Sequence, residues 1–244
     1  MATIAVYSLK GGVGKTTLTI NLAWASAIRS ARRTLLWDLD PQAAATFLLG
    51  GDATARHQAQ SIFSKDIAAT QLIRATAIDR LALLPADNSL RQLDHLFHAL
   101  DKKKRLSKLL EDLTEDFDRI LLDCPPGLTE TSEQVMRAAD LIVVPVVPSP
   151  LSQRAFEDVA AHLAQRGAKV PLMPVHAMVD RRRKLHAEAL ARYPDWPVIP
   201  MASLIESVAV QRAPVGAFAP RSAAARAFNE VWQAIERSLA ARVR

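Results

Sequence analysis

Short apolar runs alternate along the chain with longer segments of helical spacing. The runs that predict strands are residues 3–8, 34–37, 81–84, 119–122, 141–147, 170–179 and 198–199. Apolar residues three or four positions apart predict helices over 15–29, 42–49, 87–113, 152–166, 181–193 and 223–240. This alternation predicts an α/β fold in one domain, residues 1–244, with a doubly wound, mostly parallel sheet and helices on both faces. Residues 52–79 have mixed character and are assigned only loosely.

Composition narrows the class of protein. Half of the 244 residues are apolar and 23% are charged, as in ordinary globular proteins. No run approaches the roughly 20 apolar residues that cross a bilayer, and the first residues enter a strand pattern instead of a signal peptide. The single cysteine, Cys124, excludes an internal disulfide and the usual cysteine metal sites. We therefore expect a cytoplasmic protein.

The charge balance of the chain indicates what kind of partner it binds. Thirty-one basic residues against 25 acidic ones give a formal charge of +6, with a pI near 9.8. Such a balance favours polyanions, either nucleic acid or an acidic membrane surface, and does not distinguish between them.

A glycine-rich segment between the first strand and the first helix carries the strongest chemical signal. It reads Lys10-Gly11-Gly12-Val13-Gly14-Lys15-Thr16-Thr17. Glycine lets backbone N–H groups approach phosphates closely, and the following helix N-terminus favours negative charge. In a loop of this kind Lys15 reaches the β- and γ-phosphates and the Thr16 hydroxyl ligates Mg²⁺. The strict pattern G-x-x-x-x-G-K-[ST] fails once, because Leu9 stands where its first glycine belongs.

Three acidic residues follow apolar strands. Asp38 and Asp40 come after the second strand, and Asp123 ends the strand Arg119-Ile120-Leu121-Leu122. An acidic residue after an apolar strand is common in α/β folds, so each is weak by itself. Together with the glycine-rich loop, in this chain order, they indicate a nucleotide and metal site.

The loop resembles the deviant Walker A motif, K-G-G-x-G-K-[ST], of the ParA, MinD and nitrogenase-iron-protein family of P-loop ATPases. The resemblance implies ATP and Mg²⁺ as ligands and a homodimer that closes on ATP. It implies that Lys10 crosses the dimer interface to the partner's phosphates. The segment Asp38-Leu39-Asp40-Pro41-Gln42 is similar to the D-x-D-P-Q segment of ParA proteins.

The same resemblance assigns roles to the acidic residues and extends the site. Asp40 would position the attacking water, Asp38 would support the loop or the metal shell, and Asp123 would be an indirect Mg²⁺ partner. Met178-Val179-Asp180 and Ile199-Pro200 also look like ParA landmarks. The implied nucleotide-binding residues are Gly11, Gly12, Val13, Gly14, Lys15, Thr16, Thr17, Met178 and Pro200. The implied metal residues are Thr16, Asp38 and Asp123, and the implied catalytic residues are Lys10, Lys15 and Asp40.

The branch of the family is less constrained. One cysteine argues against the cluster-bridging branch, which uses two per subunit. Trp232, Ile235 and Leu239 share one face of the last predicted helix; such a face packs on a sheet or lies on a membrane, as in MinD, and we favour packing. A strand that begins at Thr3 indicates the short ParA type without an N-terminal helix-turn-helix. A metabolic ATPase of the same superfamily is a further alternative.

The short ParA type implies ATP-dependent binding to nonspecific DNA, association with the nucleoid, and a ParB-like or cargo-adaptor protein that stimulates slow hydrolysis. The candidate DNA contacts are Arg181, Arg182, Arg183, Lys184, Arg212 and Arg221. A solvated turn is the alternative explanation for the run 181–184. Met201 and Leu204 stand where many short ParA proteins have arginines, which leaves a protein cargo as an alternative to DNA.

Overall fold

The sheet of the computed structural model explains the apolar runs. The structure describes residues 1–50, 58–100 and 104–242. The described strands are β1 Ala2–Val6, β2 Thr34–Asp38, β3 Arg74–Ala75, β4 Leu81–Leu84, β5 Arg119–Asp123, β6 Leu141–Val146, β7 Leu172–Val179 and β8 Val198–Pro200. They form one sheet in the order β3-β4-β2-β5-β1-β6-β7-β8. Every pair is parallel except β3–β4.

Helices lie on both faces of this sheet. Those in the described ranges are α1 Lys15–Trp24, α2 Ala44–Leu48, α3 Ser61–Ser64, α4 Ala69–Leu72, α5 Leu93–Leu100, α6 Arg105–Glu111, α7 Glu130–Ala138, α8 Pro150–Gln165, α9 Lys184–Arg192, α10 Ser203–Glu206, α11 Val208–Gln211, α12 Val215–Phe218 and α13 Ala223–Ala241. A π turn, Ala25–Arg29, continues α1, and a 3₁₀ turn, Asn88–Gln92, precedes α5. None of the helices within these ranges is long and apolar enough to cross a bilayer.

The core has two layers because successive strand residues point to opposite faces. In β1, Ile4 and Val6 belong to the layer that α1 and α13 cover. Ala5 belongs to the other layer, which α5, α6, α7 and α8 cover. Strands buried on both faces read as continuous apolar runs instead of alternating ones. The predicted doubly wound α/β fold is therefore confirmed.

Several elements differ from the sequence prediction. The segment 87–113 is divided into the 3₁₀ turn, α5 and α6, because the Asp87 carboxylate accepts a hydrogen bond from Ser89 N and caps the turn; residues 101–103 lie outside the described residues. The segment 181–193 becomes helical only at Lys184. Of the loosely assigned stretch, residues 52–57 lie outside the described ranges. Elements β3, α7, α10, α11 and α12 were not predicted from the sequence.

The carboxyl ends of three adjacent strands carry the predicted site. β5 lies between β2 and β1, so Asp123 pairs in register with Asp38 on one side and with Val6 on the other. The glycine-rich loop leaves β1 at this edge. Ligands of open α/β sheets bind at this edge, and the topology brings the loop and both strand-ending aspartates together there.

Candidate nucleotide and magnesium site

The backbone of the glycine-rich loop requires glycine at two positions. Gly12 and Gly14 have φ values of +72° and +84°, in the left-handed region that L side chains rarely adopt. Gly14 also accepts the first α-helical hydrogen bond of α1, from Leu18 N at 2.9 Å. A Cβ atom on Gly14 would lie 3.3 Å from Cε of Met178. The loop therefore turns tightly into α1 and passes close to the end of β7.

Lys15, the first residue of α1, is nearly buried, with 8% of its surface exposed. Its Nζ donates to the Lys10 carbonyl at 3.4 Å. Burial lowers the pKa of Lys15 from its ordinary value, and the carboxylates of Asp123 and Asp40 oppose that shift. A largely desolvated ammonium group at a helix N-terminus is suited to bind phosphate oxygens.

Asp123 is fully buried and receives two hydroxyl groups from α1. Thr16 Oγ1 donates to Oδ2 at 2.8 Å, and Thr19 Oγ1 lies 2.9 Å from Oδ1. Burial raises the pKa of Asp123, and the two hydroxyls oppose the shift. Hydroxyl and carboxylate oxygens are the hard donors that Mg²⁺ prefers, so Thr16 and Asp123 fit the predicted metal site. Thr19 was not singled out from the sequence, although its spacing from Thr16 places both on one face of α1.

Asp38 is also fully buried, and its carboxylate holds the segment that follows β2. Oδ2 accepts from Thr46 N at 2.9 Å and from Thr46 Oγ1 at 2.8 Å, and Oδ1 accepts from Asp40 N at 3.1 Å. Burial and the neighbouring Asp123 carboxylate raise the pKa of Asp38. These contacts favour support of the loop among the two roles that the sequence left open for Asp38.

Asp40 stands at the start of that segment with a half-buried side chain. Its Oδ1 accepts from Gln42 N at 2.9 Å, and its charge contributes to the field at Lys15 and Asp123. The other carboxylate oxygen, Oδ2, has no hydrogen bond in the described part of the chain. Asp40 is therefore placed where a carboxylate could orient a water molecule near the phosphate loop.

An apolar cavity of about 170 Å³ opens beside the loop. It brings together Gly14 and Thr17 from the loop and α1 with Met178 from β7 and Pro200 from β8. The cavity is lined by Val13, Gly14, Thr17, Leu18, Pro145, Ala177, Met178, Ile199, Pro200, Met201, Ala202, Ile205, Glu206 and Phe228. A mostly apolar cleft with few polar groups suits a flat aromatic base, and the predicted base contacts Met178 and Pro200 both line it.

The Lys10 side chain contacts α8, the helix that follows β6. Its Nζ donates to Ser152 Oγ at 3.3 Å, in the first turn of α8. Ser152 is buried, and Ser149 caps the same helix through its hydroxyl. No sequence pattern indicates this contact, because the two residues are 142 positions apart.

The candidate DNA contacts lie in three places. Arg181, Arg182, Arg183 and Lys184 follow β7, Arg212 follows α11, and Arg221 precedes α13. Arg182 forms a bidentate ion pair with Asp180, with both N···O distances at 2.9 Å. This ion pair lowers the pKa of Asp180 to about 2. Lys184 lies 3.8 Å from Glu188. All six residues are exposed, but Arg182 and Lys184 already have carboxylate partners.

The apolar face of α13 is packed against the sheet. Trp232, Ile235 and Leu239 are all buried, and Trp232 Nε1 donates to Ser30 Oγ at 2.8 Å. This packing favours the first of the two explanations for the amphipathic pattern. Cys124 is likewise buried, beside the end of β5.

Comparison with known proteins identifies the family. A family model described as an AAA domain matches residues 1–166. Soj, the sporulation initiation inhibitor protein of Bacillus subtilis, is 35% identical over 145 residues, which cover 59% of this chain and 57% of Soj. The virulence plasmid ParA family protein pGP5-D of Chlamydia psittaci is 31% identical over 180 residues, which cover 72% of this chain and 68% of that protein.

Solved structures show the same fold along nearly the whole chain. The cell division ATPase MinD of Pyrococcus furiosus has a TM-score of 0.79 and 25% identity, covering 97% of this chain and 98% of that one. Cobyrinic acid a,c-diamide synthase of Mycobacterium smegmatis, with a bound ATP analogue and magnesium, has a TM-score of 0.79 and 26% identity, covering 97% and 94%. The second structure supports nucleotide and magnesium binding by this fold. With the family model, the ParA relatives and the sheet in agreement, this chain belongs to the ParA/MinD superfamily of P-loop ATPases.

Proposed function

We propose that the protein is a switch ATPase that dimerises around ATP, hydrolyses it slowly, and in its ATP state binds nonspecific DNA to partition or position a cargo. The proposed ATPase activity rests on the surroundings of Lys15. Its desolvated ammonium group lies at a helix N-terminus, in the field of Asp123 and Asp40, beside an apolar cavity. The similarity to Soj and to the ParA family protein pGP5-D supports the proposed role in partitioning or positioning a cargo.

The residues divide the chemistry between them. Lys15 and the N-terminal amides of α1 bind the phosphates, and Met178 and Pro200 contact the base. Thr16 would ligate Mg²⁺ with Asp123 as its indirect partner, and the ion would supply positive charge that neutralises the phosphates. Asp40 orients the attacking water, while Asp38 keeps the Asp40 backbone in place through the 3.1 Å bond to Asp40 N. Catalysis of this kind depends on positioning and on stabilising charge.

Lys10 is proposed to act on the partner's nucleotide. In its own chain its ammonium contacts Ser152 of α8 at 3.3 Å, which is consistent with a residue that can be turned across an interface. Its ammonium would stabilise the charge on the transferred phosphoryl group.

Mixing two inactive variants tests this arrangement. Lys10→Ala and Asp40→Ala are each expected to hydrolyse ATP poorly alone. In a heterodimer, one site keeps its own Asp40 and receives Lys10 from the partner, so an equimolar mixture recovers about a quarter of wild-type activity. A lysine that served its own site would leave both heterodimer sites defective, and an inactive mixture would refute the trans role.

DNA binding is tested with duplex DNA of mixed sequence in ATP, in ADP and without nucleotide, over a salt series. Binding that requires ATP and falls steeply with salt supports a phosphate-backbone interaction. Neutralising Arg182, Arg183 and Lys184 together is expected to weaken it, with neutralised Arg29, Arg32 and Arg33 as a control of equal charge. If no nucleotide state binds DNA, the ATPase proposal stands and protein cargo replaces DNA. Binding to anionic vesicles instead would indicate a MinD-like role.

The stimulating partner is proposed to be a ParB-like or cargo-adaptor protein, and the ATP-bound dimer to associate with the nucleoid in the cytoplasm. Slow intrinsic hydrolysis accelerated by such a partner is the expected kinetic behaviour. A rate that depends on a small-molecule substrate, and not on a protein, would favour the metabolic alternative.

A further inference from the structure

Arg212 holds the C-terminal end of α2. Its Nη2 donates to the Phe47 carbonyl at 2.7 Å and its Nε donates to the same oxygen at 3.1 Å. The guanidinium carbon also lies 4.4 Å from the centre of the Phe47 ring. A cation that binds the last carbonyls of a helix satisfies groups that have no partner within the helix. We call this set of contacts between Arg212 and Phe47 the clamp.

The clamp is more specific than a surface contact of a long side chain. Arg212 ends α11 with a φ of +47°, a left-handed conformation that is uncommon for arginine. Phe47 leaves 53% of its surface exposed, and its ring lies under the guanidinium. Stacking on a ring while donating two hydrogen bonds uses the planar fork of arginine, which lysine lacks.

On one side, the clamp leads to the segment that carries Asp40. Thr46, the residue before Phe47, binds the Asp38 carboxylate through both its backbone N and its hydroxyl, and Asp38 in turn accepts from Asp40 N. A displacement of Phe47 therefore acts on Thr46, and through Asp38 on the backbone of Asp40.

On the other side, the clamp leads to the wall of the base cavity. Ile205 and Glu206 of α10 line that cavity, and α11 follows directly before Arg212. Val208 of α11 is buried in the same core layer as Ala45 and Leu48 of α2. Arg212 thus joins the wall of the base cavity to the helix that follows the Asp40 segment.

We propose that Arg212 is a positioning residue for ATP hydrolysis, which holds α2 so that Asp40 stays in register with the phosphate loop. This inference rests on the proposed ATPase function and on the proposed role of Asp40. It reassigns the main role of a residue whose charge alone had suggested a DNA contact. DNA could engage Arg212 only if these two hydrogen bonds were given up.

The test is single-turnover ATP hydrolysis without DNA, together with affinity for a fluorescent ADP analogue and thermal unfolding. The variants are Arg212→Met, Arg212→Lys, Phe47→Leu and the double variant Arg212→Met/Phe47→Leu. Arg192→Met is the matched control, because Arg192 also stacks on a neighbouring ring, that of Tyr193 at 5.4 Å, but on α9. Phe47→Leu removes the ring and keeps the carbonyl.

We expect Arg212→Met to lower the hydrolysis rate about tenfold, with nucleotide affinity changed by less than about twofold. Arg212→Lys should restore part of the rate, and Arg192→Met should match the wild type. Because both residues act through one clamp, adding Phe47→Leu to Arg212→Met should slow hydrolysis by less than about twofold more.

A wild-type rate in Arg212→Met would overturn the inference, and so would a lowered melting temperature with an unchanged rate. If Phe47→Leu alone slows hydrolysis by more than about twofold and the two single effects multiply fully in the double variant, the inference is also overturned, since the residues would then act separately. If the wild type itself fails to hydrolyse ATP, the proposed function fails. If the wild type hydrolyses ATP and Arg212→Met equals it, only the role of Arg212 fails.

Discussion

Replacing Thr46 with valine tests whether hydroxyl hydrogen bonds hold the segment after β2. Thr46 is fully buried. Its Oγ1 donates to Asp38 Oδ2 at 2.8 Å and accepts from Ala86 N at 2.9 Å. Valine has nearly the same shape but neither donates nor accepts. The substitution therefore leaves a buried carboxylate oxygen with one donor fewer and a buried backbone N–H without an acceptor.

The magnitude follows from these two groups. Leaving the Ala86 N–H unsatisfied costs about 1–3 kcal/mol, and losing one hydrogen bond to the Asp38 carboxylate costs about 1.5–3 kcal/mol, so Thr46→Val should lower the free energy of unfolding by about 2.5–6 kcal/mol. Thr46→Ser keeps both hydrogen bonds and loses one buried methyl group, which costs about 1 kcal/mol. Since a domain has a net stability of about 5–15 kcal/mol, the first change is large and the second is modest.

Urea unfolding without nucleotide measures the difference. The expected order of midpoints is wild type, then Thr46→Ser, then Thr46→Val, with similar slopes because the surface exposed on unfolding hardly changes. If Thr46→Val were as stable as the wild type, or more stable than Thr46→Ser, methyl packing would be the dominant contribution, and the hydrogen-bond reasoning would be refuted.

Three further predictions concern packing, an ion pair and the buried carboxylate. Gly216→Ala should lower the melting temperature, at a cost of about 1–3 kcal/mol, because its Cβ would overlap the Trp24 ring; an unchanged melting temperature contradicts this. In an NMR titration, Asp180 should show a pKa of about 2, and Arg182→Gln should raise it toward the ordinary value. The stability due to that pair is complete above the unfolded pKa, about 3.9, and is lost as pH falls toward 2. Asp123→Asn should raise the melting temperature of the nucleotide-free protein, since it removes a buried charge. It should also abolish the difference in melting temperature between the protein with ATP and Mg²⁺ and the protein with ATP alone.

Much of the fold follows from local patterns. Parallel strands buried on both faces give apolar runs that can be read without a structure, as in Leu141–Val146. The glycine-rich loop can be recognised because its backbone conformation restricts Gly12 and Gly14 to glycine. The proximity of Asp38 and Asp123 is different, because it depends on the insertion of β5 between β2 and β1, which is a property of strand order.

Contacts between distant segments could not be predicted in the same way. Arg212 and Phe47 are 165 positions apart, and the sequence shows the charge of the arginine but not its partner. The charge of Arg212 therefore suggested a DNA contact, whereas in the folded chain Arg212 binds the Phe47 carbonyl near the end of α2. The pairing of Arg182 with Asp180 was closer to being predictable, since two positions separate them, but it requires the turn that follows β7.

The buried carboxylates explain why this edge of the sheet is suited to a charged ligand. Asp38 and Asp123 end neighbouring strands in register, so each raises the cost of ionising the other in addition to the cost of burial. The hydroxyls of Thr16, Thr19 and Thr46 form hydrogen bonds with the two carboxylates, and Lys15 is a nearby positive charge. These groups reduce the cost of ionisation but do not remove it, because a hydroxyl group carries no net charge. A metal ion at Asp123 and phosphates at Lys15 would supply the missing opposite charges. The site is therefore less favourable empty than filled, and it follows that ligand binding should stabilise the fold.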